Sequence, residues 1–107
     1  MYQGTTPTIP IEIEGIDLTR AKIYLTIEEV KSKKQVTFVS GTDFTVEYDG
    51  RKTVGSIHLT QEQTLAINPG NCTVQARFIF PDGEAGATED SSVYVNPVLL
   101  KGVIRYE

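Results

Sequence analysis

Lys22-Ile23-Tyr24-Leu25-Thr26-Ile27-Glu28 alternates apolar and polar side chains without interruption, the period of two that a strand shows when one face is buried and the other is wet. Ile23, Leu25 and Ile27 are expected to face a core, with Tyr24, Thr26 and Glu28 pointing outward. A pattern this regular suits a central strand. The basic run Lys31, Lys33 and Lys34 around Ser32 follows it, then a second β-prone run from Gln35 to Val39. Lys31–Lys34 is therefore expected to be a solvated turn joining two antiparallel neighbours.

The same alternation recurs on both sides. Ile9, Ile11 and Ile13 share one face opposite Glu12 and Glu14, and Pro7 and Pro10 suit an edge strand, where a missing donor does least harm. Gly15-Ile16-Asp17 then turns the chain. Further on, Gly41-Thr42-Asp43 ends the third run, and Phe44, Val46 and Tyr48 alternate with polar residues. Asp49-Gly50 supplies the residues a tight hairpin needs before a strand carrying Val54, Ile57 and Leu59. Gly55 interrupts that strand and predicts a bulge. Thr60-Gln61-Glu62-Gln63 has the form of a capping box, so Gln61 to Leu65 is expected to make one helical turn.

Asn68-Pro69-Gly70 closes that segment, and Cys72 to Phe80 resumes as a strand with Val74, Ala76, Phe78 and Phe80 on one face. Pro81-Asp82-Gly83 is a turn signal linking it to a strand from about Ala87 to Val95. After Asn96-Pro97 the segment Val98 to Tyr106 is apolar and β-prone, and it is expected to pair in a sheet. The sum is seven or eight short strands separated by turns about every 8 to 12 residues, which predicts an antiparallel two-sheet sandwich, immunoglobulin-like in architecture, as one domain over residues 1–107. A small barrel is the alternative. One Cys and no Trp exclude the Cys-Trp-Cys arrangement of antibody domains.

Composition narrows the function. Fourteen acidic against ten basic residues leave a net charge of −4, which repels a phosphate backbone rather than releasing its counterions, so nucleic acid is not an expected partner. No window approaches the roughly 20 apolar residues of a membrane span, and the opening residues lack the basic and apolar regions of a secretion signal. With Cys72 as the sole cysteine no intrachain disulfide forms, which favours a reducing compartment.

The chemistry-bearing residues do not combine into a site. Ser56 and His58 share a strand face, but His58 is out of phase with Ile57 and Leu59 and faces solvent, with no orienting carboxylate or oxyanion donor implied. One His and one Cys fourteen positions apart do not make a zinc site. Asp43, Asp49, Asp82 and Glu84 fall in predicted turns without the ligand spacing of a calcium loop. Glu12 and Glu14 are read as a charged edge that discourages sheet-to-sheet aggregation, and Cys72 as a small core residue. Asn71-Cys72-Thr73 has the form of a glycosylation acceptor, but with no secretion signal expected it is read as carrying no modification. No catalytic residue, metal or cofactor is expected.

Tyr2-Gln3-Gly4-Thr5-Thr6-Pro7, Gly15-Ile16-Asp17-Leu18-Thr19, Leu59-Thr60-Gln61-Glu62 and the closing Lys101 to Tyr106 carry a resemblance. Across nearly its whole length the chain resembles small proteins encoded among tail and baseplate genes in prophages of low-GC Gram-positive bacteria, a group similar to the N-terminal sandwich domain of the phage baseplate upper protein. The resemblance implies a non-enzymatic structural or interaction protein, made in the bacterial cytoplasm and then carried in the virion. Its partners would be other tail or baseplate proteins, or further copies of itself. Such a protein would use sheet edges and outward aromatics such as Tyr24, and the tail around Val103 to Tyr106 would add a strand to a neighbour. The alternative is a carbohydrate- or peptide-binding sandwich using Tyr24 or Tyr94, for which the absence of Trp removes the strongest stacking platform.

Overall fold

Eight strands and one helical turn follow one another along the chain: β1 (Thr8–Glu14), β2 (Lys22–Glu29), β3 (Gln35–Val39), β4 (Thr45–Tyr48), β5 (Lys52–His58), α1 (Gln61–Leu65), β6 (Gly70–Ile79), β7 (Ala85–Ala87) and β8 (Ser91–Val95). The structure, a computed structural model, describes residues 1–107. One sheet has the order β1-β5-β4; the other has β3-β2-β6, with β7 and β8 both paired to the far side of β6. Every strand pairing is antiparallel. This is the all-β sandwich that the periodicity predicts. In the constant-type immunoglobulin order the second strand shares a sheet with the first and fifth; here β2 lies in the opposite sheet, between β3 and β6.

β2 is central, with β3 on one side and β6 on the other, and its Ile23, Leu25 and Ile27 are buried as their phase requires. Ile11 from β1, Phe38 from β3, Ile57 and Leu59 from β5 and its exit, and Cys72 and Ala76 from β6 complete the layer between the sheets. Three buried polar side chains interrupt it: Glu29, Thr53 and Thr64. No buried side-chain nitrogen or oxygen lacks a hydrogen-bond partner, as native interiors require. The capping box is present in full: Gln63 N–H donates to Thr60 Oγ1 at 3.2 Å and Thr60 N–H to Gln63 Oε1 at 2.8 Å.

In four places the structure departs from the sequence reading. Gly55 makes no bulge, since β5 keeps an unbroken register with β1 and with β4. Its lack of a side chain serves a close approach instead: a Cβ there would lie 2.5 Å from the Thr45 carbonyl oxygen. Consequently β5 turns Thr53, Gly55 and Ile57 inward, and Val54 does not share the face of Ile57. The bulge lies between β7 and β8, which divide what reads as one strand. There Thr88-Glu89-Asp90 stand opposite only Gln75 and Ala76. Thr88 bridges the gap, donating its N–H to Ala76 O at 2.9 Å and accepting the Ala76 N–H on Oγ1 at 3.0 Å. Finally, Val98–Tyr106 forms no strand.

The two flanks of the sandwich differ. On one, β3 passes directly into β4 through Gly41–Asp43, sealed by a Ser40–Phe44 bridge and by Val39 N–H donating to Asp43 Oδ2 at 2.7 Å. On the other, β1 and β8 face each other without a pairing between them. No helix is long and apolar enough to cross a membrane.

Candidate interaction surface

The open flank holds a cleft of about 570 Å³ between β1 and the β6–β8 edge. Ile9, Ile11 and Ile13 form one wall, Leu25, Ile27, Val74 and Ala76 the floor, and Thr88–Val93 the other wall. Its interior is aliphatic because the inward residues of both sheets meet there without a strand to cover them. One end is closed by the first residues of the chain. Met1 donates its amino group to Tyr94 O at 2.9 Å and accepts from Asn96 N–H at 2.6 Å, and Gln3 N–H bonds Asn96 O at 2.9 Å. Thr64 Oγ1 and Gln3 Nε2 tie the same segment to α1 and its exit, at Thr5 O (2.9 Å) and Ile67 O (2.8 Å).

β1 presents a backbone edge as well as side chains. At one end Leu59 N–H donates to Pro7 O at 2.9 Å, and at the other Gly15 N–H donates to Arg51 O at 3.0 Å. In an antiparallel pair alternate residues exchange both bonds with the partner, while those between turn theirs away. Ile9, Ile11 and Ile13 therefore bond β5, whereas Thr8, Pro10, Glu12 and Glu14 aim their backbone groups at the free edge. Pro10 stands at a position where its missing N–H costs β5 nothing. The predicted edge strand is thus an edge strand, with free donors on Thr8, Glu12 and Glu14.

The rim is acidic. Glu12 and Glu14 line the outer face of β1, and Glu89 and Asp90 stand on the opposite lip. The single ion pair of the molecule, Lys52 Nζ to Glu12 Oε1 at 3.2 Å, offsets part of this charge and holds the lysine above its ordinary value.

The residues singled out in the sequence are dispersed. Tyr24 lies on the outer face of β2 between Val39 and Arg77, half-buried, with Lys22 Nζ 5.6 Å from its ring centre. A ring already under a lysine is a poorer platform than its outward phase suggests. Val103 and Tyr106 belong to the unpaired tail, which is held at Ile104: its N–H donates to Gln61 Oε1 at 2.9 Å and its carbonyl accepts from Gln61 Nε2 at 3.0 Å. Tyr24 and the tail are therefore separate surfaces. Leu99 and Tyr106 are fully exposed, Leu100 is 71 % and Ile104 57 % exposed. Tyr94 is exposed on the outer face of β8.

The other candidates have local tasks. His58 is exposed, with Nδ1 2.9 Å from Thr8 Oγ1, which ties β5 to β1. Asp49 accepts from the Lys52 and Arg51 N–H groups, each at 2.9 Å, and these bonds hold its carboxyl below the usual range. Asp82 accepts from Glu84 N–H at 2.9 Å. Burial pushes the Cys72 thiol up, helped by the nearby Glu29 carboxylate, so it stays protonated.

Glu29 is the functional-looking residue that sequence reading missed. Its carboxylate accepts Lys31 N–H at 2.6 Å and Ser32 N–H at 3.1 Å, which lowers its pKa and organises the lysine turn. It continues the inward phase of Ile23, Leu25 and Ile27, a signal sufficient to find it.

No family model matches the chain, and no curated protein or solved structure matches it either.

Proposed function

We propose that the protein is a non-enzymatic structural or interaction protein of a phage or prophage tail or baseplate, acting through its sheet edges and its exposed apolar tail. The observation that carries the interaction part is the open flank: an aliphatic cleft beside an edge strand whose outward backbone groups, at Thr8, Pro10, Glu12 and Glu14, have no strand partner. An unpaired edge next to an apolar groove is what an extended segment of another protein needs, backbone bonds for affinity and alternate side chains for selectivity. The tail and baseplate setting rests on the resemblance carried by the Tyr2–Pro7, Gly15–Thr19, Leu59–Glu62 and Lys101–Tyr106 segments.

The same cleft suits a peptide-binding module, and this is the second reading. Glycan recognition has less behind it, since Tyr24 is partly covered by Lys22. Quantitative mass spectrometry of purified particles from an induced lysogen encoding this chain distinguishes the two. Detection in fixed ratio to the major tail proteins is the expected result. Absence from particles, with the protein abundant in the lysate, overturns the tail assignment in favour of a free binding module.

A further inference from the structure

The open cleft and the exposed tail are complementary in length, in side-chain phase and in charge. β1 has seven residues, and Leu100–Tyr106 supplies the same number. Extended, that segment turns Leu100, Gly102, Ile104 and Tyr106 to one side and Lys101, Val103 and Arg105 to the other, because alternate side chains of a strand point to opposite faces. One face is apolar and the other carries both of its basic residues.

We propose that Leu100–Tyr106 of one copy adds as a strand to the free edge of β1 in a second copy. This rests on the reading of the protein as an interaction module and names the partner. With Ile104 and Tyr106 directed into the cleft, Lys101 and Arg105 come to lie on the outer face beside Glu12 and Glu14, and opposite charges across neighbouring strands attract. The backbone meets the free groups of Thr8, Glu12 and Glu14 and the Pro10 carbonyl, a ladder interrupted by one missing donor. The only hydrogen bonds that hold the tail from Lys101 onward to its own body are the two to the Gln61 side chain, both at an exposed position. Exchange for a strand ladder gives up little.

The occupant is another copy because the chain's own tail does not line its own cleft and is held instead at Gln61 on α1. The tail leaves β8 at Asn96, where Met1–Gln3 is hydrogen-bonded along that edge and closes the adjoining end of the cleft. Its root at Val98 lies beside Gly4, and the chain is next held at Gln61 on α1. Since the tail and the cleft are different surfaces, each copy that donates a strand can also receive one, giving a reciprocal dimer, a ring or a filament according to the rotation between copies.

Sedimentation of the full-length chain over a range of concentrations tests this. Association that grows with concentration is expected, and Ile104→Asp with Tyr106→Asp should leave a monomer, with the fold intact because both residues are exposed. Reversing the rim (Glu12→Lys with Glu14→Lys) or the tail (Lys101→Glu with Arg105→Glu) should each weaken association at least about tenfold, and mixing the two variants should restore it. A wild-type chain that stays monomeric at its solubility limit overturns the inference, as does association indifferent to the tail and rim changes. If the chain is monomeric in solution yet present in particles in fixed ratio, self-pairing fails while the interaction reading stands; absence from particles fails the tail assignment without touching self-pairing.

Discussion

Thr53→Val removes one oxygen from the centre of the sandwich and little else. Thr53 is fully buried. Its hydroxyl donates to Ile16 O at 2.7 Å and accepts from Leu18 N–H at 2.9 Å. These bonds pin the segment where the chain crosses from the sheet of β1 to the sheet of β2, and they hold Leu18, which is itself fully buried. Valine has nearly the same shape but leaves the Leu18 N–H sealed from water without a partner. An unsatisfied buried group costs about 1–3 kcal/mol. The Ile16 carbonyl, only partly enclosed, adds less, so a loss of about 2–3 kcal/mol is expected. For a domain of this size that is a fall in Tm of about 10–15 °C. Thr53→Ser keeps both bonds and gives up one methyl, worth about 0.8 kcal/mol. Thermal and urea unfolding followed by circular dichroism read both variants. A valine variant within about 0.5 kcal/mol of wild type, or a serine variant worse than the valine one, would show that the methyl packing and not the hydroxyl holds the crossing, and the reasoning would fall.

Gly55→Ala should destabilise by about 1–3 kcal/mol, since its Cβ would press on the Thr45 carbonyl and drive β4 from β5; urea unfolding checks it, and a neutral result would mean that β4 yields freely. Glu29, Asp17 and Asp49 all have folded pKa values below their ordinary 4.5, 3.8 and 3.8. Their contribution to stability is complete above those ordinary values and is lost as pH falls through the lower folded ones. The urea midpoint should therefore decline on acidification below about pH 4.5, and Glu29→Gln should flatten that decline; an unchanged slope would exclude Glu29 as a source. Gln61→Ala should release Ile104 and speed trypsin cleavage after Lys101 while leaving Tm unchanged, and equal cleavage rates would show that the two bonds do not restrain the tail.

How much of this was legible in the sequence depended on what kind of residue sat at each inward position. β2 reads correctly from end to end because a central strand between two neighbours alternates cleanly. β5 does not, because two of its inward residues carry no apolar signal: Thr53 is buried for its hydroxyl and Gly55 for its missing side chain. The break between β7 and β8 is hidden for a similar reason. Thr88 replaces ladder groups with its own hydroxyl, so neither glycine nor proline marks the bulge. The tail shows the reverse error. Its apolar, β-prone composition measures a capacity to pair, which is not the same as having a partner within the fold. The cleft itself was out of reach, since periodicity tells which face of a strand is buried but not which strands are neighbours. The edge character of β1 came through all the same, from Pro7 and Pro10.

The central claim, that the free edge of β1 is the working surface, has a direct test in residue-resolved amide hydrogen exchange of the protein alone and in its assembled form. Alone, the N–H groups of Ile9, Ile11 and Ile13 should exchange slowly and those of Thr8, Glu12 and Glu14 quickly, and assembly should slow Glu12 and Glu14 to the rate of their neighbours. Assembly that leaves the Glu12 and Glu14 amides exchanging as fast as in the isolated protein would contradict it.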